Sequence, residues 1–285
     1  MRWFTSSAAA RYLRVSAASV KRWSDAGLLE CEKTAGKHRR FSKEALDSFQ
    51  RRRGQSEEEP VATASARETA LIDEWLEELL EVSDSHAIDA LLMRERNRLG
   101  RWSSVAKSLG SVVTELGARW ARGDLNPIDE HVATERLSRA LARTAQWLPN
   151  AKDAPTCMLT TAEGDNHTLG LSLLEVCMRE AGWMTVWSGR RTPFANLDTA
   201  IERYNIDLLA VSASAISSEP HEMRLQAEGL GRILEPRGVD LILGGCGSWP
   251  DPPPYGLVIR DFEEISHEAR KIINSASIGA YDDDP

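Results

Sequence analysis

The feature that most constrains this chain is a change of hydrophobic period near Asn150. From there, short apolar runs alternate with helical stretches: Thr156–Thr161, Met184–Trp187, Leu208–Ser212 and Leu241–Gly244, with Leu257–Ile259 as a plausible fifth. Short apolar runs separated by helix-length segments specify parallel strands joined by crossover helices. The expected fold of residues 150–281 is an α/β doubly wound parallel five-stranded sheet. Such folds bind ligands at the carboxyl ends of their strands, where the loops lie.

Those loops hold the unusual residues. After the first run comes Glu163-Gly164-Asp165-Asn166-His167-Thr168-Leu169-Gly170. Asp165, two positions before His167, is within reach of the imidazole. A carboxylate on one ring nitrogen fixes the tautomer and makes the other nitrogen a better metal donor. Gly170 removes a side chain where a bulky group must pass the helix. Ser212-Ala213-Ser214 follows the third run, and Gly244-Gly245-Cys246-Gly247 follows the fourth. Hydroxyls on one loop and bare backbone on its neighbour make a deep slot. A lone Asp-x-His is ordinarily a surface loop, but three matched loops on successive strands argue against that. A nicotinamide site fits less well, because the glycines follow a late strand at the wrong spacing.

Asp165-x-His167-x-x-Gly170, the serine after the third strand and Gly244-Gly245 resemble the cobalamin-binding fold of methionine synthase and corrinoid-dependent mutases. The resemblance implies that His167 is the lower axial ligand of cobalt, with Asp165 behind it. It further implies that a displaced nucleotide tail enters a slot beside Ser212, Ser214, Gly244 and Gly245. The family's usual Ser-x-Leu reads Ser212-Ala213-Ser214 here, which puts the tail contacts near Ser214 in doubt.

Upstream the character differs. Residues 1–54 carry 13 Lys/Arg against 5 Asp/Glu, and the remainder 22 against 38, so a basic head of +8 precedes a body of −16. Only the head is suited to a polyanion. Ser6 or Ser7 can cap a helix bearing Ala10, Tyr12 and Leu13. Val15-Ser16 turns the chain, and Ser16 caps a second helix to about Ala26, with Val20 and Trp23 on one face and Gly27 as its stop. Thr34–Phe41 is a cationic hairpin tip, and Ser42 opens a third helix with Ala45, Leu46 and Phe49 inward and Arg51, Arg52 and Arg53 at its end. This is the layout of a winged helix-turn-helix. The second helix suits a major groove and the hairpin cations suit flanking phosphates. The segment resembles the DNA-binding domains of MerR-type and excisionase-type regulators. Lys21, Arg22, Lys37, His38, Arg39 and Arg40 are the DNA-contact candidates, each also readable as a solvated cation, and Trp23 reads as core.

Residues 54–66 read as a flexible tether. From 67 to 149 the apolar positions recur at helical spacing, from Leu71, Trp75 and Leu79 through Val105, Leu109, Val112 and Leu116, giving an all-α bundle of four or five helices. Gly123 through Pro127 breaks it, so Trp120 ends one helix and Glu130-His131 begins the next. Taken alone, such a Trp is usually core and such a Glu-His pair usually caps. The order of head (1–53), bundle and sheet domain resembles the CarA/CarH-type cobalamin-dependent regulators, whose bundles carry Trp, nine residues, then Glu-His. Trp120, Glu130 and His131 match that spacing.

The resemblance implies a non-enzymatic repressor that binds adenosylcobalamin, methylcobalamin being an alternative. Trp120 would cover the upper cobalt face, and Glu130 and His131 would shape that pocket. It implies a homotetramer, a dimer of dimers, that holds operator DNA in darkness and is dispersed by light. Certain relatives place a histidine directly after the Trp to ligate cobalt after photolysis, and Ala121 stands there in this chain. Either His131 moves in, water takes the upper site, or the chain senses cobalamin without a light switch. The main rival is a corrinoid protein serving methyltransferases, which leaves the basic head unexplained. A second rival is a DNA regulator whose last domain binds another tetrapyrrole or nothing.

No apolar run approaches the roughly 20 residues that span a bilayer. The start Met1-Arg2-Trp3-Phe4 has no apolar signal segment and leads straight into a helix-like pattern, which predicts a cytoplasmic protein. Cys31, Cys157, Cys177 and Cys246, widely spaced, fit reduced thiols better than disulfides or a zinc cluster.

Overall fold

The computed structural model describes residues 3–13, 15, 20–21, 23–24, 29–33, 39–55, 64–81, 85–149 and 153–279. They fall into two compact units, Met1–Glu77 and Glu78–Pro285.

In the first unit, β1 (Trp3–Thr5), α1 (Ser6–Leu13), β2 (Glu32–Lys33), β3 (Arg39–Ser42) and α2 (Lys43–Gln55) follow in order, with residues 20–21 and 23–24 helical between α1 and β2. The sheet runs β1-β3-β2, antiparallel throughout, with Phe4 opposite Phe41 and Glu32 opposite Arg40. The hairpin is therefore a wing, as expected. The first strand was not expected, because three residues are too few to show an alternating period. The cap of α1 is Thr5 rather than the expected Ser6 or Ser7: the Ala8 amide donates to Thr5 Oγ1 at 3.3 Å. Ser42 does cap α2, accepting from the Ala45 amide at 3.1 Å. Ala9, Ala10, Leu13, Val20, Leu29, Phe41, Leu46 and Phe49 form the core, and Trp23 packs on it 4.9 Å from the Phe49 ring.

The expected tether narrows at both ends. Helix α2 continues to Gln55 and α3 (Ala64–Leu80) begins inside the span read as linker. Hydrogen bonds of the continuing helix hold Gly54 and Gln55, which composition alone assigned to coil. Helices α4 (Ser85–Leu99), α5 (Trp102–Ala121) and α6 (Pro127–Trp147) share one compact unit with the sheet domain.

The sheet contains β4 (Thr156–Thr161), β5 (Met184–Gly189), β6 (Ile206–Ala213), β7 (Asp240–Gly245) and β8 (Leu257–Val258), all parallel in the order β5-β4-β6-β7-β8. Its helices are α7 (Leu169–Glu180), α8 (Leu197–Tyr204), α9 (Pro220–Leu234) and α10 (Phe262–Gly279). One face buries Met158, Leu209, Val211 and Leu243 under α8 and α9. The other buries Cys157, Leu159, Leu208, Ala210 and Ile242 under α7 and α10. Burial on both faces explains why β4 reads as an unbroken apolar run.

The bundle packs outside the second helical layer, α5 and α6 on α7 and α5 also on α10. Ionic contacts rivet one end. Glu180 accepts from the Trp102 amide (2.8 Å) and from Arg96 (2.7 Å), while Lys107 reaches Asp261 (2.8 Å) and Glu263 (3.2 Å). Arg101, at the N-cap of α5, makes no side-chain cap, so Glu180 supplies one from a neighbouring helix. Cys31, Cys157, Cys177 and Cys246 are all free thiols. Among the described residues, no helix is long and apolar enough to cross a membrane.

Candidate cofactor site at the carboxyl edge of the sheet

The strand order reverses between β4 and β6, so the loops after these two strands border the crevice where doubly wound sheets take ligands. Leaving β4, the Ala162 amide donates to the Ser212 carbonyl (2.9 Å), and Gly164 turns the chain at φ +83°. The Thr161 hydroxyl then holds the Asp165 carbonyl at 2.8 Å.

Asp165 has no exposed side-chain surface and accepts four hydrogen bonds. Oδ1 takes the His167 amide (2.9 Å) and faces His167 Nδ1 (2.9 Å). Oδ2 takes the Ser214 amide (2.7 Å) and the Ser217 hydroxyl (2.8 Å). Burial by itself would raise this carboxyl, but the hydrogen bonds from His167, Ser214 and Ser217 outweigh it and hold the group down at about 2. It is thus an anion at neutral pH and can only accept, which assigns the ring proton of His167 to Nδ1. Ser214 Oγ lies 3.1 Å from the same nitrogen. Nε2 has no partner among the described residues, on a side chain 57% exposed. The arrangement is that of a metal-ligating imidazole backed by a carboxylate.

Gly170 lies in the first turn of α7, where a Cβ would stand 3.3 Å from Ser212 Oγ. The expected glycine loop has a second role. A Cβ on Gly245, at φ +85°, would lie 2.2 Å from the Ala213 carbonyl oxygen, and one on Gly247 would lie 2.4 Å from the Ala213 side chain. These two positions let the β7 loop lie against the β6 loop, sealed by the Gly247 amide on the Ala213 carbonyl at 2.9 Å. At Gly244 a Cβ would meet the Ile259 carbonyl at 3.1 Å. Sequence reading missed Ser217, which lies in an aperiodic loop, and the bracing role of Gly247, which its spacing after Gly245 could have shown. It also missed Glu163, whose carboxylate receives the Phe194 amide at 2.7 Å and ties the β4 and β5 loops together.

On the bundle, Trp120 occupies the last turn of α5 and is 52% exposed, so it is no core residue. Gly123 (φ +75°) breaks the helix, and Asn126 caps α6 by accepting from the Ile128 and Asp129 amides. Glu130 holds His131 Nδ1 at 2.6 Å and accepts from the Thr134 hydroxyl at 2.8 Å. Ile128 and Val132 stand exposed beside them.

The rivets fix where this tip lies. Trp102 meets the C-terminal end of α7 and Lys107 meets the N-terminal end of α10. Helices α7 and α10 run alongside each other, the Trp183 indole just beyond α7 donating to the Ala269 carbonyl. Advancing along α5 is therefore moving back along α7. Trp120 lies 18 residues further along α5 than Trp102, and so toward the carboxyl edge. The fold thus carries Trp120, Glu130 and His131 to the same end of the unit as His167.

Of the DNA-contact candidates, Lys21 and Arg40 are exposed and Arg39 is half-buried on the wing strand. Arg22, Lys37 and His38 lie outside the described residues, as do Ser16, Gly27 and Gly36.

Residues 3–54 match the family described as "Helix-turn-helix domain". The HTH-type transcriptional repressor CarA of Myxococcus xanthus is 28% identical over 137 residues, 48% of this chain and 45% of that protein. The match therefore spans less than half the repressor's length. The dimethylamine corrinoid protein of Methanosarcina barkeri is 24% identical over 147 residues, 50% of this chain and 69% of that one. The solved monomethylamine corrinoid protein of Methanosarcina barkeri superposes with a TM-score of 0.53 at 16% identity, covering 72% of this chain and 99% of its own. A helix-turn-helix head joined to a helical region and the corrinoid-protein fold fits a CarA/CarH-like protein.

Proposed function

We propose that this chain is a non-enzymatic, cytoplasmic transcription regulator that binds DNA through residues 1–53 and a cobalamin through the carboxyl edge of its sheet. The observation that carries the reading is the imidazole of His167, its Nδ1 tied to a buried carboxylate and its Nε2 without a partner among the described residues, on the same chain as a winged helix-turn-helix. The donor set fits a corrinoid: one imidazole backed by a buried carboxylate, small residues and hydroxyls at the reversal of strand order, and an exposed tryptophan at the end of α5.

In this reading His167 would hold the cobalt through Nε2, with Asp165 fixing the ring and Ser214 and Ser217 fixing Asp165. Gly170 and Ser212 would border the group at the first turn of α7, and Ser214, Gly244 and Gly245 would border a slot for its nucleotide tail. Trp120, Glu130 and His131 would shield the group from water on the bundle side. When bound as adenosylcobalamin, the preferred form with methylcobalamin as the alternative, the group supplies a cobalt–carbon bond that light can break. What the protein adds is differential affinity: a filled pocket favours one arrangement of the bundle, and that arrangement favours self-association. A tetramer built as a dimer of dimers presents several heads to one operator, so its dispersal weakens DNA binding far more than any single contact would. On this account the chain is a dark-state repressor, and Lys21, Arg22, Lys37, His38, Arg39 and Arg40 grip the operator.

The test is reconstitution in darkness with adenosylcobalamin. The wild type gains a protein-bound corrinoid spectrum and His167→Ala takes up none; equal uptake by both overturns the site. Green illumination should then change the spectrum; constancy would leave a light-insensitive cobalamin sensor. The relatives among methylamine corrinoid proteins favour a second reading, a corrinoid carrier for methyltransferases. Gel shifts on upstream DNA, with and without adenosylcobalamin, separate the two, since only the regulator retards DNA in a ligand-dependent way.

A further inference from the structure

The loop that follows β5 is fixed along its length against β4 and the β4 loop. The Ser188 hydroxyl donates to the Leu159 carbonyl (3.1 Å) and receives the Thr192 hydroxyl (2.9 Å). The Arg191 amide donates to Thr161 Oγ1 at 3.4 Å, and the Phe194 amide to Glu163 at 2.7 Å. Thr161 Oγ1 is the same hydroxyl that holds the Asp165 carbonyl at 2.8 Å. One side chain therefore supports both the loop that bears His167 and the loop that bears Arg191.

The backbone of Arg191 is held at φ +55°. Residues other than glycine rarely adopt this left-handed conformation, and they keep it only where surrounding contacts over-determine it. Asn205, the other described non-glycine residue with positive φ, ends α8, where asparagine suits that geometry. Arg191 caps no helix. Arg190 and Arg191 are both exposed, and neither guanidinium has a hydrogen-bond or ion-pair partner among the described residues. Two adjacent cations also run against the charge of a body that carries −16. A solvated surface arginine needs neither a braced loop nor a strained backbone, whereas a cation set to meet an anion beside the site uses both.

We propose that Arg190 and Arg191 hold the phosphodiester of the corrinoid's nucleotide tail. This rests on the cobalamin reading above and deepens it, by assigning the anionic part of the ligand to residues of its own. The amide side chains of a cobalamin are neutral, and its phosphodiester is the anion that a guanidinium fork matches in charge and geometry. Through Thr161, the loop that takes the phosphate and the loop that presents His167 are set against one another before any ligand arrives.

The experiment loads the full chain in darkness with hydroxocobalamin or with cobinamide, which lacks the phosphodiester and the base, and reads affinity from the absorption change. Arg190→Gln combined with Arg191→Gln should weaken hydroxocobalamin roughly tenfold or more and leave cobinamide unchanged. Raising salt should weaken hydroxocobalamin uptake by the wild type more than by the paired variant. Arg191→Gly gives a readout that separates binding from support of the fold. Without ligand it should unfold no earlier than the wild type, because glycine takes the left-handed backbone freely. Unchanged hydroxocobalamin affinity in the paired variant, an equal loss of both corrinoids, a salt dependence common to both proteins, or a glycine variant that unfolds earlier overturns the proposal while leaving the cobalamin reading intact. Absence of hydroxocobalamin uptake by the wild type overturns both.

Discussion

At the scale of single residues, Asp165 is the position on which the edge geometry turns. Four donors converge on it, so replacing the carboxylate with an amide leaves at least one donor facing an N–H. Asp165→Asn should lower unfolding stability of the unliganded protein by about 1–3 kcal/mol, read by denaturant titration. Loss of a carboxylate behind a ligating imidazole should also weaken corrinoid affinity by roughly 10- to 100-fold. Gly245→Ala tests a different physics. Its φ of +85° and the 2.2 Å approach to the Ala213 carbonyl together should cost on the order of 2–4 kcal/mol, seen as a lower thermal midpoint without any ligand present.

At the scale of elements, the decisive feature is that α5 is fixed at its first turns, by Glu180 and by Asp261 and Glu263. Glu180→Gln removes the charge that Arg96 pairs with and weakens the cap on the Trp102 amide. Hydrogen exchange should accelerate in the first turn of α5 and leave α9, on the opposite face, unchanged. The Lys107 contacts give a pH signature. Hydrogen bonding to Asp261, then to Glu263, raises Lys107. The Lys107 hydrogen bond lowers Asp261, while the Ser104 hydroxyl and then Lys107 lower Glu263. Carboxylates held below their ordinary range stabilise the folded state above that range and lose the effect as pH falls through the lowered values. Protection of the Ser104–Lys107 turn should therefore hold at neutral pH and decline in acid. Lys107→Ala should weaken that dependence, leaving the part that the Ser104 hydroxyl supplies, and an unchanged acid profile in the variant would refute the assignment.

At the scale of the whole molecule, charge and architecture divide the labour. A head of +8 on a body of −16 makes DNA binding a property of the first unit, with the body repelled by the same polyanion. Affinity for operator DNA should fall steeply with salt, and Arg40→Ala should reduce the slope of log affinity against log salt by about 1. Size exclusion in darkness should show a larger species with adenosylcobalamin than without it, the shift disappearing in His167→Ala. A ligand-independent elution volume would separate cofactor binding from assembly.

The sequence by itself determined the sheet, because its central strands β4, β6 and β7 are buried on both faces and appear as apolar runs bounded by helices. It also determined the Asp165–His167 pair, since two residues apart in one loop guarantees proximity. It determined the wing from its cations and the break between Trp120 and Glu130 from Gly123 and Pro127. Tertiary structure alone decided what depends on elements distant in the chain: the capping of α5 by Glu180, the locking of Asp165 by Ser217 and the bracing of the β7 loop on Ala213. It also decided that bundle and sheet form one compact unit, and that Trp120 is exposed rather than core. Local periodicity records which face of an element is buried, whereas the partner it meets and the end at which it is fixed follow from packing between segments that no short window contains.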